Sequence, residues 1–320
     1  MAFSDTNHLG TAEANNFIPK LWSDEVIATY KKNLVVANLV TKINHKGKKG
    51  NTIYIPKPER KTASAKATDS TVTLVAHTNN VLTVTIDKHF EYSTLIEDIA
   101  ATQALGSMRK FLTDDAGHSL AVQVDTHLVD AAAHLYGGNG TAGDAGWNKA
   151  QVWDATTGVL ADWTRTASSN AGNASAFSAA GADKAIRALI EKLDLADVPM
   201  DNRSLVVTPR QYSDILGINR FTEQQFIGSG AAIATGKVGQ IYGVDVYVTN
   251  NLDSTKSAGN AVHDVGMIIH KEALVLAEQV GVRTQTQYKQ EYLADLLTSD
   301  TLYGISEYRD ECGIAFVTTR

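Results

Sequence analysis

The sequence has a single cysteine, Cys312, among 320 residues. One thiol excludes an intrachain disulfide and fits a reducing compartment. Arg309 is the only basic residue or histidine beside it, so its surroundings do not mark a reactive thiolate. No apolar run approaches the ~20 residues needed to span a membrane. The opening MAFSDTNHLG lacks the basic and apolar regions of a secretory signal, so a soluble product made in the cytoplasm is expected. There are no internal repeats and no G-x-S-x-G nucleophile elbow. A net charge of −6 excludes polyanion binding by bulk charge. What remains is ordinary for a globular protein, 43% apolar and 20% charged, and long enough for two domains or one elaborate one.

A phosphate loop is missing too, although TGKVGQIYGVDVYVTNN (235–251) invites the comparison. Such a loop needs G-x-x-x-x-G-K-[ST] between a strand and a helix, so that backbone N–H groups cradle phosphate and a hydroxyl holds magnesium. Upstream of Gly236-Lys237, Gly230 and Gly228 give spacings one and three residues too long, and Val238 stands where the hydroxyl belongs. Val244, Val246 and Val248 then alternate with Asp245, Tyr247 and Thr249, the period of a strand. The segment reads as a turn at Gly243 into a half-buried strand that Asn250-Asn251 ends.

Along the chain, residues 1–16 are polar and aperiodic and read as a mobile arm. A helix is expected from Ser23, with Asp24 and Glu25 in its first turn and Trp22, Val26, Ile27 and Tyr30 on one face. Between 42 and 90 a strand at Thr52–Ile55, two prolines, a stretch of small polar residues and the Val81, Val84, Ile86 run suggest a long two-stranded excursion. Such a hairpin is marginal alone and needs a neighbour to lie on. The strongest helical signal follows. Leu112, Ala116, Leu120, Val124, Leu128, Ala131 and Leu135 form one stripe, with Asp114, Gln123, Asp125 and Asp130 largely off it and Gly137-Gly138 as its stop. Residues 137–180, with Trp147, Trp153 and Trp163, read as irregular and partly packed. A helix with Ile186, Leu189, Ile190 and Leu193 inward, a buried strand in RSLVVTP, a helix in RQYSDILG and closing strands complete the pattern.

Charge is unevenly placed. Lys42, Lys46, Lys48, Lys49, Lys57, Arg60, Lys61 and Lys66 oppose only Glu59 between 42 and 68, which gives +7 there and −13 elsewhere. Three readings are open: phosphate contacts to nucleic acid, a solvated arm, or a basic arm that docks on an acidic neighbour. Tyr54 is the only stacking ring nearby, which weakens the first. His127, Asp130 and His134, and Asp114 with His118, have helical spacing but no third strong ligand, so solvated or helix-pairing roles are favoured over zinc. Glu91, Glu97, Asp98 and Glu272 have no acid–base context. No catalytic, cofactor or metal site emerges.

Six segments occur in a telling order: FIPKLWSDEVIATYKKNLVVANLV, GKKGNTIYIPKP, LVVTPRQYSDIL, GKVGQIYGVDVYVTNNL, HKEALVLAEQ and LYGISEYRDECGIAFV. Together they resemble the major capsid protein of tailed bacteriophages, the HK-ninety-seven type fold, over nearly the whole chain. The resemblance implies an α+β fold with an N-terminal arm (1–44), an extended β-hairpin loop (45–92), a peripheral domain with a long spine helix (93–137), an α/β axial domain (138–261) and closing strands of both domains (262–320). It implies a structural subunit, not an enzyme, that self-assembles into hexamers and pentamers of an icosahedral head around double-stranded DNA, without sequence-specific binding. The implied location is the virion capsid, assembled in the host cytoplasm and free of membrane. A separate scaffolding protein and a portal would be partners, with a decoration or cement protein as an optional one. Lys57, Arg60, Lys61 and Lys66 would contact a neighbouring subunit, and Lys57, Lys61 and Lys66 occupy the positions of a crosslinking lysine where members use one. Alternatives are a nanocompartment shell of the same fold and a phosphoryl-transfer enzyme built on TGKVG.

Overall fold

The computed structural model describes residues 35–47, 49–58, 79–98, 108–136, 150–154, 159–162, 179–218, 239–252, 256–258 and 261–319, with isolated positions between 63 and 74. The arm, the helix expected at 23, Trp147, Trp163 and Gly236-Lys237-Val238 lie outside the described residues. In chain order the elements are α1 (Val36–Leu39), β1 (Thr41–Asn44), β2 (Thr52–Pro58), β3 (Asn79–Thr85), β4 (Lys88–Glu97) and α2 (Met108–Ala132). Then come β5 (Gln151–Asp154), β6 (Val159–Asp162), α3 (Ala179–Leu195), β7 (Arg203–Val207) and α4 (Pro209–Leu216). β8 (Gln240–Ile241), β9 (Val244–Val248), β10 (Lys256–Ala258), β11 (Ala261–His270), β12 (Leu274–Lys289), β13 (Ala294–Glu307) and β14 (Gly313–Thr319) follow. No helix among the described residues is long and apolar enough to cross a membrane.

Three sheets organise these elements, consistent with the expected α+β class. One has four strands in the order β1-β12-β13-β4. A second has eight, ordered β6-β5-β14-β11-β7-β9-β8 with β10 on β11. The third is the hairpin of β2 and β3 alone. All five residues of β7 are buried because the strand is central, antiparallel to β11 and parallel to β9. α4 begins where the chain dictates it. The Thr208 hydroxyl accepts from Gln211 N, the Gln211 side chain returns to Thr208 N, and Pro209 opens the first turn. The turn expected at Gly243 is a two-residue hairpin between β8 and β9, with φ of 51° at Tyr242 and 79° at Gly243.

α2 runs 25 residues, about 37 Å at ~1.5 Å each. Ala116, Leu120, Leu128 and Leu135 of the expected stripe are buried, in company with Val129, Ala132 and Ala133. The helix stops at Ala132, ahead of the glycines expected to end it. Four turn residues follow, and Tyr136, at φ 61°, donates its N–H to Asp310 O across 3.0 Å. A tertiary hydrogen bond thus replaces the glycine stop. Asp125 departs further from expectation. It is fully buried, and its carboxylate accepts from Val35 N at 3.2 Å and Ala37 N at 2.9 Å, capping α1 from 90 residues away.

Two other expectations need correction. The strand read as Thr52–Ile55 continues through Pro56 and Pro58 to its end, paired with Asn79–Thr85. A two-stranded sheet has only edge strands, so the N–H that each proline lacks can be one that would face outward. Residues 150–162, read as irregular, hold the antiparallel pair β5–β6, and β5 also pairs with β14 in parallel. Trp153 is buried there.

Candidate functional site

Two places stand out among the described residues: the seat of the β2–β3 hairpin and the outer half of β12. The hairpin rests on a small core of its own: Val84, Ile86, Val275 and Ala277 are buried, with Ile43, Ile53, Ile55, Leu82, Leu302 and Tyr308 packed against them. The sequence marked this hairpin as marginal alone, and β12 and β13 of the same chain supply part of what it lies on. Gly304 makes the contact possible. A methyl group there would run into the carbonyl of Thr85 and the Cα of Ile86, so β13 must present bare backbone where β3 ends. Ile86 N donates to Asn51 O at 2.7 Å and closes the base. On the opposite face Tyr54 is 70% exposed and Val81 52% exposed.

The basic run divides. Lys42 Nζ donates to Asn38 Oδ1 at 3.2 Å, and Lys46 Nζ lies 3.7 Å from Glu278 Oε2, an exposed pair that contributes little. Lys49, Lys57 and Lys66 are exposed, while Lys48, Arg60 and Lys61 lie outside the described residues. The described cations are strung along the excursion and do not converge on one ligand-sized point. The segment after Lys237 is the β8–β9 hairpin, where a phosphate loop requires a helix.

β12, β13 and β4 pair side by side in the four-stranded sheet. Residues 282–288 of β12 are all exposed. Polar cross-strand pairs hold this stretch: Arg283 Nε and Nη2 reach Asp300 Oδ1 and Oδ2 at 2.7 and 2.9 Å, and His89 Nε2 lies 3.3 Å from Oδ2. The Arg283 hydrogen bonds hold the Asp300 carboxyl below its usual range, and Asp300 raises Arg283 in turn. At the tip Tyr288 Oη donates to Asp98 Oδ2 at 2.8 Å, while Tyr292 and Leu293 are exposed.

The histidines proposed as helix-surface groups have separate fates. His127 Nδ1 lies 2.8 Å from Tyr303 Oη and its ring is 5.1 Å from that of Phe90, so it joins α2 to β13 and β4. Burial, then the nearby Lys88 charge, lowers its pKa, and burial raises that of Tyr303. Asp130 is exposed and His134 half-buried. Among the described residues no group of His, Cys, Asp or Glu is arranged to hold a metal ion. Cys312 is buried, and burial pushes its thiol up, away from the reactive thiolate. A shallow cavity of about 420 Å³ opens between α3 and the β8–β9 turn, lined by Arg187, Ile190, Glu191, Asp194, Leu195 and Tyr242. It has no paired acid and base.

Sequence reasoning missed Asp125, Gly304 and the Arg283–Asp300 pair. Only Gly304 left a signal, as an isolated glycine within an alternating strand.

The comparisons bear on the fold. A solved structure from Mycobacterium phage Che8 aligns with 94% of this chain and 97% of its own, at 23% identity and TM-score 0.73. The capsid structure of Cyanophage P-SCSP1u aligns over 99% and 96%, at 16% identity and TM-score 0.72. The mature capsid of bacteriophage PhiM1 aligns over 98% and 96%, at 16% identity and TM-score 0.69. The chain has the phage capsid fold of the HK-ninety-seven type, as its sequence resemblance implied. No family model matches it, and no curated protein matches it in sequence.

Proposed function

We propose that the chain is a major capsid protein, the subunit of an icosahedral phage head. The carrying observation is that the fold agrees from end to end with capsid subunits, with nearly all of both chains aligned. Surfaces support it: the outer hairpin face and the end of β12 with the turn after it expose Tyr54, Val81, Tyr288, Tyr292 and Leu293, which a monomer gains nothing by showing water. In this reading the loop 45–92 crosses an adjacent subunit, with Lys57, Arg60, Lys61 and Lys66 toward acidic groups there. The segment 93–137 joins capsomers, 138–261 surrounds each symmetry axis, and 262–320 returns through both. Hexamers and pentamers close around double-stranded DNA in the host cytoplasm. A scaffolding protein and a portal take part, and a decoration or cement protein is optional. The subunit works without catalysis or cofactor. The test is light scattering and negative-stain microscopy of the purified protein, alone and with its scaffold. Closed shells or capsomers are expected; a strict monomer at high concentration under both conditions would overturn the reading.

A further inference from the structure

β13 pairs with β12 on one side from Leu274 to Lys289. On its other side β1 pairs only with Val275–Glu278, and His45 N donates to Glu278 O at 2.9 Å. The Lys46 side chain then lies against Gly281. From Arg283 to Lys289 no strand among the described residues pairs with this edge. Such an edge is a template for another strand, and proteins commonly blunt it with lysine, proline or a bulge. β4, at the opposite edge of the same sheet, carries Lys88, Glu91 and Glu97. Val282–Tyr288 holds neither lysine nor proline, and its register with β13 is regular from Arg283 onward. Arg283, its single charge, is drawn onto Asp300.

The stretch is also self-complementary. Side chains alternate, so Arg283, Gln285 and Gln287 share the face of Asp300, and Thr284, Thr286 and Tyr288 share the other with Val282. A two-fold axis normal to the sheet sets each residue against one on the same face. Centred on Gln285, it uses all of the exposed run 282–288. Val282 then meets Tyr288, Arg283 meets Gln287, Thr284 meets Thr286, and Gln285 meets its own copy. Aromatic with β-branched and threonine with threonine are favourable cross-strand pairs. Centred on Thr286, the axis would set Arg283 against Lys289, a like-charge pair. Centred on Thr284, it would carry the second strand onto Gly281, where Lys46 stands.

We propose that this edge is an isologous contact between two copies of the chain. Val282–Tyr288 of each pairs antiparallel with the other about a two-fold axis through Gln285, joining two four-stranded sheets. The run 282–288 is far shorter than the ~20–30 residues a side of a stable interface. The pairing is therefore weak in an isolated pair and is strengthened by repetition among many copies. That the occupant is a second copy rests on the capsid reading; the register rests on the edge itself.

Cysteine capture in the purified full-length chain tests it, at the concentration used for assembly. The native Cys312 is buried. Two Gln285 Cα atoms facing each other would be ~4.5–5.5 Å apart, within the ~4.4–6.8 Å that a disulfide spans. Two Gln287 Cα atoms would be ~13 Å apart along the strands. On mild oxidation Gln285→Cys should form a disulfide-linked dimer at least tenfold faster than Gln287→Cys. Equal rates, or no dimer from either, overturn the pairing. A thiol-to-lysine crosslinker that joins Gln285→Cys to Lys57 or Lys66 of another copy, with no thiol pair formed, would put a hairpin on this edge and also overturn it. Should Gln285→Cys fail to fold, Gln285→Lys and Gln285→Glu decide by light scattering. Their mixture should associate more than either alone, and equal association overturns the pairing. Shell formation is scored separately. Shells without the Gln285 preference sink the pairing alone, and the preference without shells or capsomers sinks the capsid reading alone.

Discussion

Within the 16 residues of β12 the chain passes from one physical regime to another. Leu274, Val275, Leu276 and Ala277 are buried, while residues 282–288 are all exposed. The inner half lies between β1 and β13 and contributes to both cores, and over the outer half β13 is the paired strand. The register shifts between Glu278 and Arg283, where one regime gives way to the other. Inside, area removed from water stabilises the fold at about 25 cal/mol per Å². Outside, the ladder depends on Arg283–Asp300, a Thr284–Ser299 hydroxyl contact at 2.9 Å and Tyr288–Asp98. One region is complete in a single chain. The other, like the outer hairpin face, leaves edges and aromatic rings open to water.

The contrast breaks most visibly if the inner region tolerates charge. Leu128→Asp buries a carboxylate at a position with no exposure, against the large core, at a cost of several kcal/mol after relaxation. The chain should not fold, and a soluble, assembly-competent Leu128→Asp protein would show that the helix stripe faces water. Asp125→Ala comes next. It strands the Val35 and Ala37 N–H groups in a buried place and should cost about 1–3 kcal/mol in thermal unfolding.

Deleting 57–80 sharpens the contrast from the other side. Val84, Ile86 and their seat remain, so the subunit should melt within a few degrees of wild type yet form no stable shells. A collapse in melting temperature would assign the hairpin to the folding core. Reversing Lys57, Arg60, Lys61 and Lys66 to glutamate should weaken assembly at low salt. Each exposed pair contributes only ~0.2–1 kcal/mol, but every copy repeats it. The difference should fade as salt shortens screening to ~10 Å at 0.1 M, and equal assembly of mutant and wild type at low salt would leave the arm merely solvated.

The smallest effect belongs to the outer ladder. Asp300 has its pKa depressed by Arg283, so its contribution is present above the usual 3.8 and is lost as pH falls below it. Amide exchange at 282–289 should rise on acidification in wild type and be less pH-sensitive in Arg283→Met. Identical acid responses in the two proteins would remove the pair from the account.

The sequence by itself determined the local elements. Six apolar residues at helical spacing, from Leu112 to Ala131, specify α2, Thr208-Pro209 with Gln211 starts α4, the β-branched run makes β7, and Tyr242-Gly243 turns the chain into β9. Each is decided by neighbours within a few positions, through periodicity, capping or allowed φ. Order of segments was enough for the resemblance, because folds of this size persist when single motifs fade. Tertiary structure decided the rest. Asp125 looked like a surface residue because its partners, Val35 and Ala37, are far away in sequence. His127 became a core contact only when β13 delivered Tyr303. The prolines of β2 were tolerated because that sheet has no inner strand. Burial and charge proximity depend on what arrives from elsewhere in the chain, and no local period encodes that arrival.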